Sequence, residues 1–321
     1  MPDLKIKVVT TIVQCRRLWR EFNPEKSFSD LWEYRFAFYK AYRFPLHFVL
    51  LKNQGKNVGL LPLWMHPKKK KYFWLGDVAD DEDNRWPEDV DLWVKDKRYL
   101  SALLKACPRP AQLCNLKAVW RNRLKGVAIL KKASPKNILS LRSLRTVEDY
   151  LAAQSRKLRS NLRRIKRSID ARHPQIIFNR FKDFNRLAYL NRKRFKDSCF
   201  HDARLMHVFR ALIRPGKRRK PYEVRTISVQ IKGKVVGVDL IFIFNNTYYP
   251  LFCGNDLHHC SGIGMYMNLL DIQDALALGM KKMDYGESDP TASYYHYKHR
   301  SFSEIRQYKL DLHKKRAPQR S

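Results

Sequence analysis

Apolar and polar positions alternate along two stretches of this chain and recur at helical intervals elsewhere. In the first stretch, Leu46 to Leu51 and Val58 to Met65 are β-rich runs flanking Asn53-Gln54-Gly55-Lys56, a hairpin signal. A charged turn, Lys68 to Lys71, precedes a short aromatic strand, Tyr72 to Leu75. Upstream, Trp32, Phe36, Tyr39 and Tyr42 keep helical spacing within Trp19 to Tyr42, and Pro45 ends the pattern. Tyr99 to Cys107 predicts a short helix stopped by Pro108 and Pro110. In the second stretch, Val224 to Ile231, Val235 to Phe244 and Tyr248 to Cys253 predict three strands. Gly264 opens a helix through Leu278 that Gly279 closes. Lys282 to Tyr285 follows as a strand, Ser293 to Lys298 as a helical turn and Ile305 to Leu312 as a last strand. That order predicts an α/β fold around a mixed sheet.

The two stretches repeat one another. Gly55-Lys56-Asn57-Val58-Gly59 matches Gly233-Lys234-Val235-Val236-Gly237, and the same offset sets Gly76 on Gly254, each after an aromatic strand. A shared order of elements at one offset points to duplication of an α/β unit. The expected domains are 1–140 and 141–321. Residues 147–172 join them as a helix that starts at Thr146 with Asp149 in a capping-box spacing and stops at His173-Pro174. Leu158, Leu162, Ile165 and Ile169 form one apolar stripe of that helix. Seven bases between Arg156 and Arg167, with no acid among them, occupy its other faces. A second helical stretch spans Lys182 to Phe195.

Composition narrows the class. With 44% hydrophobic and 12% aromatic residues the chain can bury cores, which excludes disorder. No apolar run approaches the roughly 18 residues of a membrane span, and Met1 to Arg20 lacks a signal-peptide core. Six cysteines with no Cys-x-x-Cys pair read as reduced thiols, so a soluble cytoplasmic protein is expected. A net charge of +35 calls for an anionic partner: nucleic acid, a membrane face or a phosphate-bearing small molecule. One acidic loop stands apart, Asp77 to Asp91, with eight acids and a single base, Arg85.

Ser261-Gly262-Ile263-Gly264, with Met265 next, lies between the third strand and the helix. Glycines there let a ligand approach the backbone, and free amides at a helix start suit a pyrophosphate. The third Gly of a dinucleotide fingerprint is missing, and no Gly-Lys-Ser/Thr follows. Two strands, an aromatic strand, a glycine turn, a helix, a strand and a Tyr-rich segment resemble the order of GNAT-type acyltransferases. The whole chain resembles the two-domain FemAB/CelD-like branch, related to the cellulose biosynthesis acetyltransferases. The residues that carry this are Leu46–Met65 with Leu61-Pro62-Leu63, Asn161-Leu162-Arg163-Arg164, Val235–Gly254 and Gly262–Gly279, then Met283-Asp284-Tyr285-Gly286 with Tyr297-Lys298. Members often have Asp-Phe-Gly where this chain has Asp284-Tyr285-Gly286.

The resemblance implies tandem GNAT-like domains with mixed central sheets flanked by helices. It implies acetyl-CoA or another acyl-CoA as co-substrate, no metal, and direct transfer of the acyl group to an amine or hydroxyl of a small or glycan-related acceptor. The pantetheine arm would enter a splay between two strands, with the pyrophosphate on Ser261, Gly262, Ile263, Gly264 and Met265. Direct transfer needs a base, a polarised carbonyl and a proton for the thiolate. Asp239, a carboxylate in an apolar strand, is the candidate base, with Glu287 beside the next strand's end. Tyr295, among Tyr294, Tyr295 and Tyr297, is the candidate proton donor. Asp284, Tyr297, Lys298, Arg163 and Arg164 are candidate acceptor contacts. The N-terminal domain reads as degenerate, since it shows no equivalent of Ser261–Leu278 and Gly76 runs into acids.

Two rival readings follow from the same residues. One is an aminoacyl-tRNA-dependent transferase of the peptidoglycan-bridge type. The other is a non-enzymatic binder of tRNA or anionic membrane through Arg156–Arg167. Cys253, His258, His259 and Cys260 match no usual zinc spacing. Cys199 with His201 reads as a structural thiol.

Overall fold

Two tight hairpins, one in each half of the chain, set the frame in the computed structural model, which describes residues 3–78, 89–124, 129–214, 221–287 and 302–313. The first half supplies strands β1 (Leu4–Val9), β2 (Leu46–Asn53), β3 (Lys56–His66), β4 (Lys71–Trp74), β5 (Trp93–Val94) and β6 (Ala111–Lys117). Helices α1 (Ile12–Phe22), α2 (Trp32–Tyr42), α3 (Leu100–Ala106) and α4 (Val119–Arg123) alternate with them. Strand β7 (Leu130–Ser140) leads to α5 (Val147–Ala152), α6 (Arg156–Asp170), β8 (Gln175–Phe178), α7 (Phe184–Arg194) and α8 (Ala203–Ile213). Strands β9 (Glu223–Ile231), β10 (Lys234–Phe244) and β11 (Thr247–Asn255) follow, then α9 (Ile263–Ala277), β12 (Lys282–Glu287) and β13 (Phe302–Leu312). No helix of the described residues is long and apolar enough to cross a membrane.

The chain divides into two units. One comprises 1–135 with 306–321, the other 136–305. The sheet of the first runs β1-β2-β3-β4-β6-β13 and that of the second β8-β9-β10-β11-β12-β7. In each, only the fourth and fifth strands pair in parallel. The repeat therefore extends to strand order and direction. The boundary differs from the one expected at 140/141. Strand β13 pairs with β6, from Gln307 opposite Lys117 to Leu312 opposite Ala111, so the last strand completes the first unit. Strand β7 pairs with β12, from Lys282 opposite Ser140 to Glu287 opposite Lys136, and completes the second. Alternation along a strand tells which face is buried, not which neighbour it takes.

The shared glycines explain why the same local structure forms twice. Gln54 and Gly55 have φ of 48° and 76°, and Lys232 and Gly233 have 49° and 77°. Two consecutive left-handed residues make the turn that suits a two-residue hairpin. The second glycine of each motif admits a helix. A Cβ on Gly59 would stand 3.3 Å from Leu103 of α3, and one on Gly237 2.9 Å from Met267 Sδ of α9. So the short helix expected at Tyr99 to Cys107 packs in the first unit where α9 packs in the second, although α3 has only seven residues against the fifteen of α9.

Gly254 is tighter still. A Cβ there would lie 2.6 Å from the Leu187 carbonyl oxygen and 2.7 Å from its Cα, both in the backbone of α7. Gly254→Ala is expected to lower stability by about 1–3 kcal/mol, because a helix backbone must move to admit the methyl. An unchanged urea midpoint would show that α7 is not held there.

The expected helix over 147–172 is two helices. Thr146 and Asp149 form the capping box of α5, and Ser155 then caps α6 by accepting from Leu158 N at 3.4 Å. Leu162, Ile165 and Ile169 are buried against Ile263, Tyr266 and Met267 of α9, with Leu158 at the margin. Arg156, Lys157, Arg163, Arg164 and Arg167 are exposed. Trp19 to Tyr42 likewise splits between the end of α1 and α2.

Candidate functional site

Strands β11 and β12 are paired only at Thr247/Lys282 and Tyr248/Met283. Beyond that point the pairing of β11 with β10 slips by one residue, from Leu240 opposite Phe252 to Ile241 opposite Pro250. An extra residue, Leu251, bends the strand, as β-bulges do. The result is a gap between parallel strands that widens toward the start of α9.

The N-terminus of α9 stands at that end. Gly262, its N-cap, has φ 81°, and a Cβ there would lie 2.9 Å from Ile165 of α6, so both backbone and packing demand glycine. The amides of Ile263 and Met265 are spent on Cys260 O and Gly262 O. Those of Gly262 and Gly264 have no hydrogen-bond acceptor among the described residues. Ile263 is fully buried beneath the turn, so it offers a ligand no side chain. Ser261 is exposed, and Met265 is half-buried. Met265 also accepts a long contact from Asn161 Nδ2 at 3.8 Å and lines a small apolar pocket with Tyr150, Leu162, Asn268, Leu269, Tyr285 and Phe302. Asn255, at the end of β11, carries no motif that would single it out in the sequence. It is only 8% exposed, its Oδ1 has no partner, and its Nδ2 lies 3.2 Å from where a Gly264 Cβ would be. Free amides, the Asn255 Nδ2 donor and the dipole of a fifteen-residue helix converge on one spot. An anionic oxygen fits there.

Asp239 lies in β10, a central strand between β9 and β11, and is 3% exposed. It hydrogen-bonds Asp271 of α9, and its Oδ1 has no partner. Two carboxyls can share such a bond only if one keeps its proton. Burial pushes Asp239 up to about 7, and burial together with Asp239 raises Asp271. The network extends through Tyr248, whose hydroxyl reaches Asp274 Oδ2 at 3.1 Å, to Arg225, which grips Asp274 through Nε at 3.0 Å and Nη2 at 2.8 Å. Half-buried Cys253 faces Asp239 across the ladder, and burial pushes its thiol up to about 12. Burial pushes Cys199 up to about 12 as well. Neither is a thiolate near neutral pH.

Asp284 is buried on β12. Its Oδ2 pairs with Lys136 Nζ at 2.6 Å, with both side chains almost wholly enclosed, and its Oδ1 accepts Gly286 N at 3.0 Å. Lys136, on β7, gave no sequence signal. Glu287, half-buried, is the last residue of β12 and stands opposite Lys136. Arg163 is tied to Glu148 at 2.6 Å and Arg164 to Asn161 at 2.9 Å, both on the exposed side of α6. Thus Ser261 to Met265 cluster at the gap, Asp239 sits one strand inward, and Arg163 and Arg164 lie outside. Tyr294, Tyr295, Tyr297 and Lys298 fall outside the described residues, as does most of the acidic loop. Among the described residues no three His, Cys, Asp or Glu side chains gather as a metal site.

The first unit has the same gap and closes it. Strands β4 and β6 pair only at Tyr72/Ala111 and Phe73/Gln112. Val90 then takes the place beside β6, accepting from Lys117 N at 3.1 Å and donating to Asn115 O at 3.0 Å. Asp91 fastens this segment through Trp120 Nε1 at 2.6 Å and Lys117 Nζ at 3.1 Å. The slot is occupied by the chain itself, a firmer obstacle than the charge repulsion expected from the acids.

A mixed sheet whose two parallel strands part beside a helix start, built twice in one chain, defines the tandem GNAT-like class. Residues 154–299 match the family model described as an acetyltransferase (GNAT) domain. No curated protein sequence matches the chain. In fold it is similar to the crystal structure of FemX, with TM-score 0.60 and 11% identity over 95% of this chain and 96% of that one. It is similar to the C-terminal domain of a protein described as a putative lysylphosphatidylglycerol synthetase from Agrobacterium fabrum, with TM-score 0.56 and 7% identity over 94% and 92%. A tandem GNAT protein from the clavulanic acid biosynthesis pathway gives TM-score 0.54 and 9% identity over 97% and 98%. At these identities the likeness is one of fold. The family match thus covers residues 154–299, and the chain as a whole has a tandem GNAT-like fold.

Proposed function

We propose that the second unit binds an acyl-CoA in the gap between β11 and β12 and transfers the acyl group directly to an amine or hydroxyl. The carrying observation is the pair of unspent amides at Gly262 and Gly264 beside the Nδ2 of Asn255. They suit the pyrophosphate of the donor, and the gap beside them suits a thin, uncharged arm. Direct transfer is supported by chemistry as well. Cys253, the thiol nearest the buried acids, is held protonated, so a covalent acyl-enzyme has no ready nucleophile there. Asp239 takes the role of base in this reading, since a carboxyl raised to about 7 can accept a proton near neutrality. Glu287, Asp284, Tyr295, Tyr297 and Lys298 are proposed to surround the acceptor.

A second reading has one specific observation behind it. The exposed bases of α6 lie on a helix packed against α9, and a polyanionic donor such as an aminoacyl-tRNA would suit them. Titration with acetyl-CoA and with charged tRNA at two salt concentrations separates the two.

Gly264→Leu tests the donor site. The side chain would press on Asn255 and cover the free amides, so CoA affinity is expected to fall tenfold or more, on the order of 1.4 kcal/mol. Unchanged affinity by calorimetry in a folded variant would send the phosphates elsewhere.

A further inference from the structure

We infer that Lys234 and Arg172 form a second phosphate subsite beside the start of α9, one that reads the phosphate monoester on the ribose of the donor's nucleotide. This rests on the proposal that α9 receives the donor's pyrophosphate. The observation is an excess of positive charge built around one acid. Asp256 is 6% exposed and faces three donors: His259 Nδ1 at 2.9 Å, Arg186 Nη2 at 3.0 Å and Lys234 Nζ at 3.6 Å. Burial alone would raise the Asp256 carboxyl, but the hydrogen bonds of His259, with the charge of Lys234, hold it below the usual range. Arg172 adds a fourth donor, with Nη2 on His259 O at 3.1 Å. One carboxylate cannot neutralise three permanent cations.

These cations also keep donors in hand. Lys234 has three protons, gives one to His259 Nε2 at 2.6 Å and leans another toward Asp256. Arg172 is exposed, and among the described residues its remaining nitrogens have no partner. Asp256 fixes the segment that carries His259, which places this cationic edge only three residues before Gly262. A nucleotide laid with its pyrophosphate on Gly262 and Gly264 would bring a ribose phosphate within reach of it. The unpaired Oδ1 of Asn255, a buried acceptor, points independently to a ligand that brings a hydrogen-bond donor to this helix start.

The test compares CoA with 3′-dephospho-CoA by calorimetry, using the full chain and its Lys234→Met and Arg172→Met variants. The unaltered protein is expected to bind CoA about tenfold more tightly than dephospho-CoA. Each variant should lose most of that preference while holding dephospho-CoA as before, with circular dichroism unchanged. Equal affinity for the two ligands in the unaltered protein would overturn the inference while leaving the donor site in place. An equal loss of both ligands in the variants would do so too. If neither ligand binds the unaltered protein, the donor reading itself fails and this one with it. If the variants weaken a short RNA duplex instead, and the CoA preference is absent, the cations serve a polynucleotide and the inference falls.

Discussion

Lys136→Met is expected to cost about 3–5 kcal/mol of stability, a larger loss than Gly254→Ala should bring. Its ammonium and the Asp284 carboxylate are both almost fully enclosed at 2.6 Å. Removing the cation leaves Asp284 charged and dry, or forces it to take a proton. The carboxylate also orients Gly286, whose φ of 70° turns the end of β12 beside the gap. Adding Asp284→Asn to Lys136→Met should restore a large part of the loss, since no buried charge then remains unpaired. Urea unfolding of the two single variants and the double variant measures this coupling. A double variant as unstable as the sum of the singles would mean the two residues act apart.

Asp239→Asn should lower turnover by roughly 10²-fold while leaving CoA affinity nearly intact, if Asp239 takes the acceptor's proton. The same substitution carries a stability signature of definite sign. Burial raises the folded-state pKa of Asp239 from 3.8 to about 7. Between those values the unfolded chain has released a proton that the folded chain still holds. Stability therefore falls as pH rises across that interval, by at most about 1.4 kcal/mol per pH unit. The Asn variant escapes this loss, so its unfolding midpoint should gain on the unaltered protein from pH 4 to pH 7. A normal rate combined with that gain would make the Asp239–Asp271 pair a packing element and move the base elsewhere. A midpoint difference that does not change with pH would mean that Asp239 is ionised throughout.

How far the sequence carried this picture depends on which pattern each element leaves. The hairpins were legible because the paired glycines make a turn and a close helix contact, both local demands. Helix α9 and the stripe of α6 were legible through their glycine start and apolar period. Strand β6 was not, because six of its seven residues are buried and nothing alternates. Strands β1 and β8 sit at sheet edges, with exposed residues on both faces, so they too lack alternation. Strand β7 hides behind Pro135 and three lysines, and one of those lysines is the buried partner of Asp284. At the candidate site, Ser261 to Met265 were found by their glycines and Asp239 by its apolar neighbours. Asp271 and Asp274 were missed although they stand out as acids in an otherwise apolar helix, and Asp271 lies one turn beyond Met267. Asn255 and Lys136 left no signal, since their roles depend on strands brought together from distant positions.

The exchange of sixth strands has a consequence for how this protein can change over time. A duplicated unit that has filled its own slot is normally free to shrink or disappear. Here it cannot, because the strand that closes the second sheet, β7, is the one that follows the first unit in the gene, and the first sheet is closed by β13, which follows the second unit. Deleting either half would strip the survivor of a strand and leave a row of unpaired backbone groups open to aggregation. Each sheet is thus walled by a strand that comes next to the other unit in the chain, so losing either unit would open an edge in the one that stays.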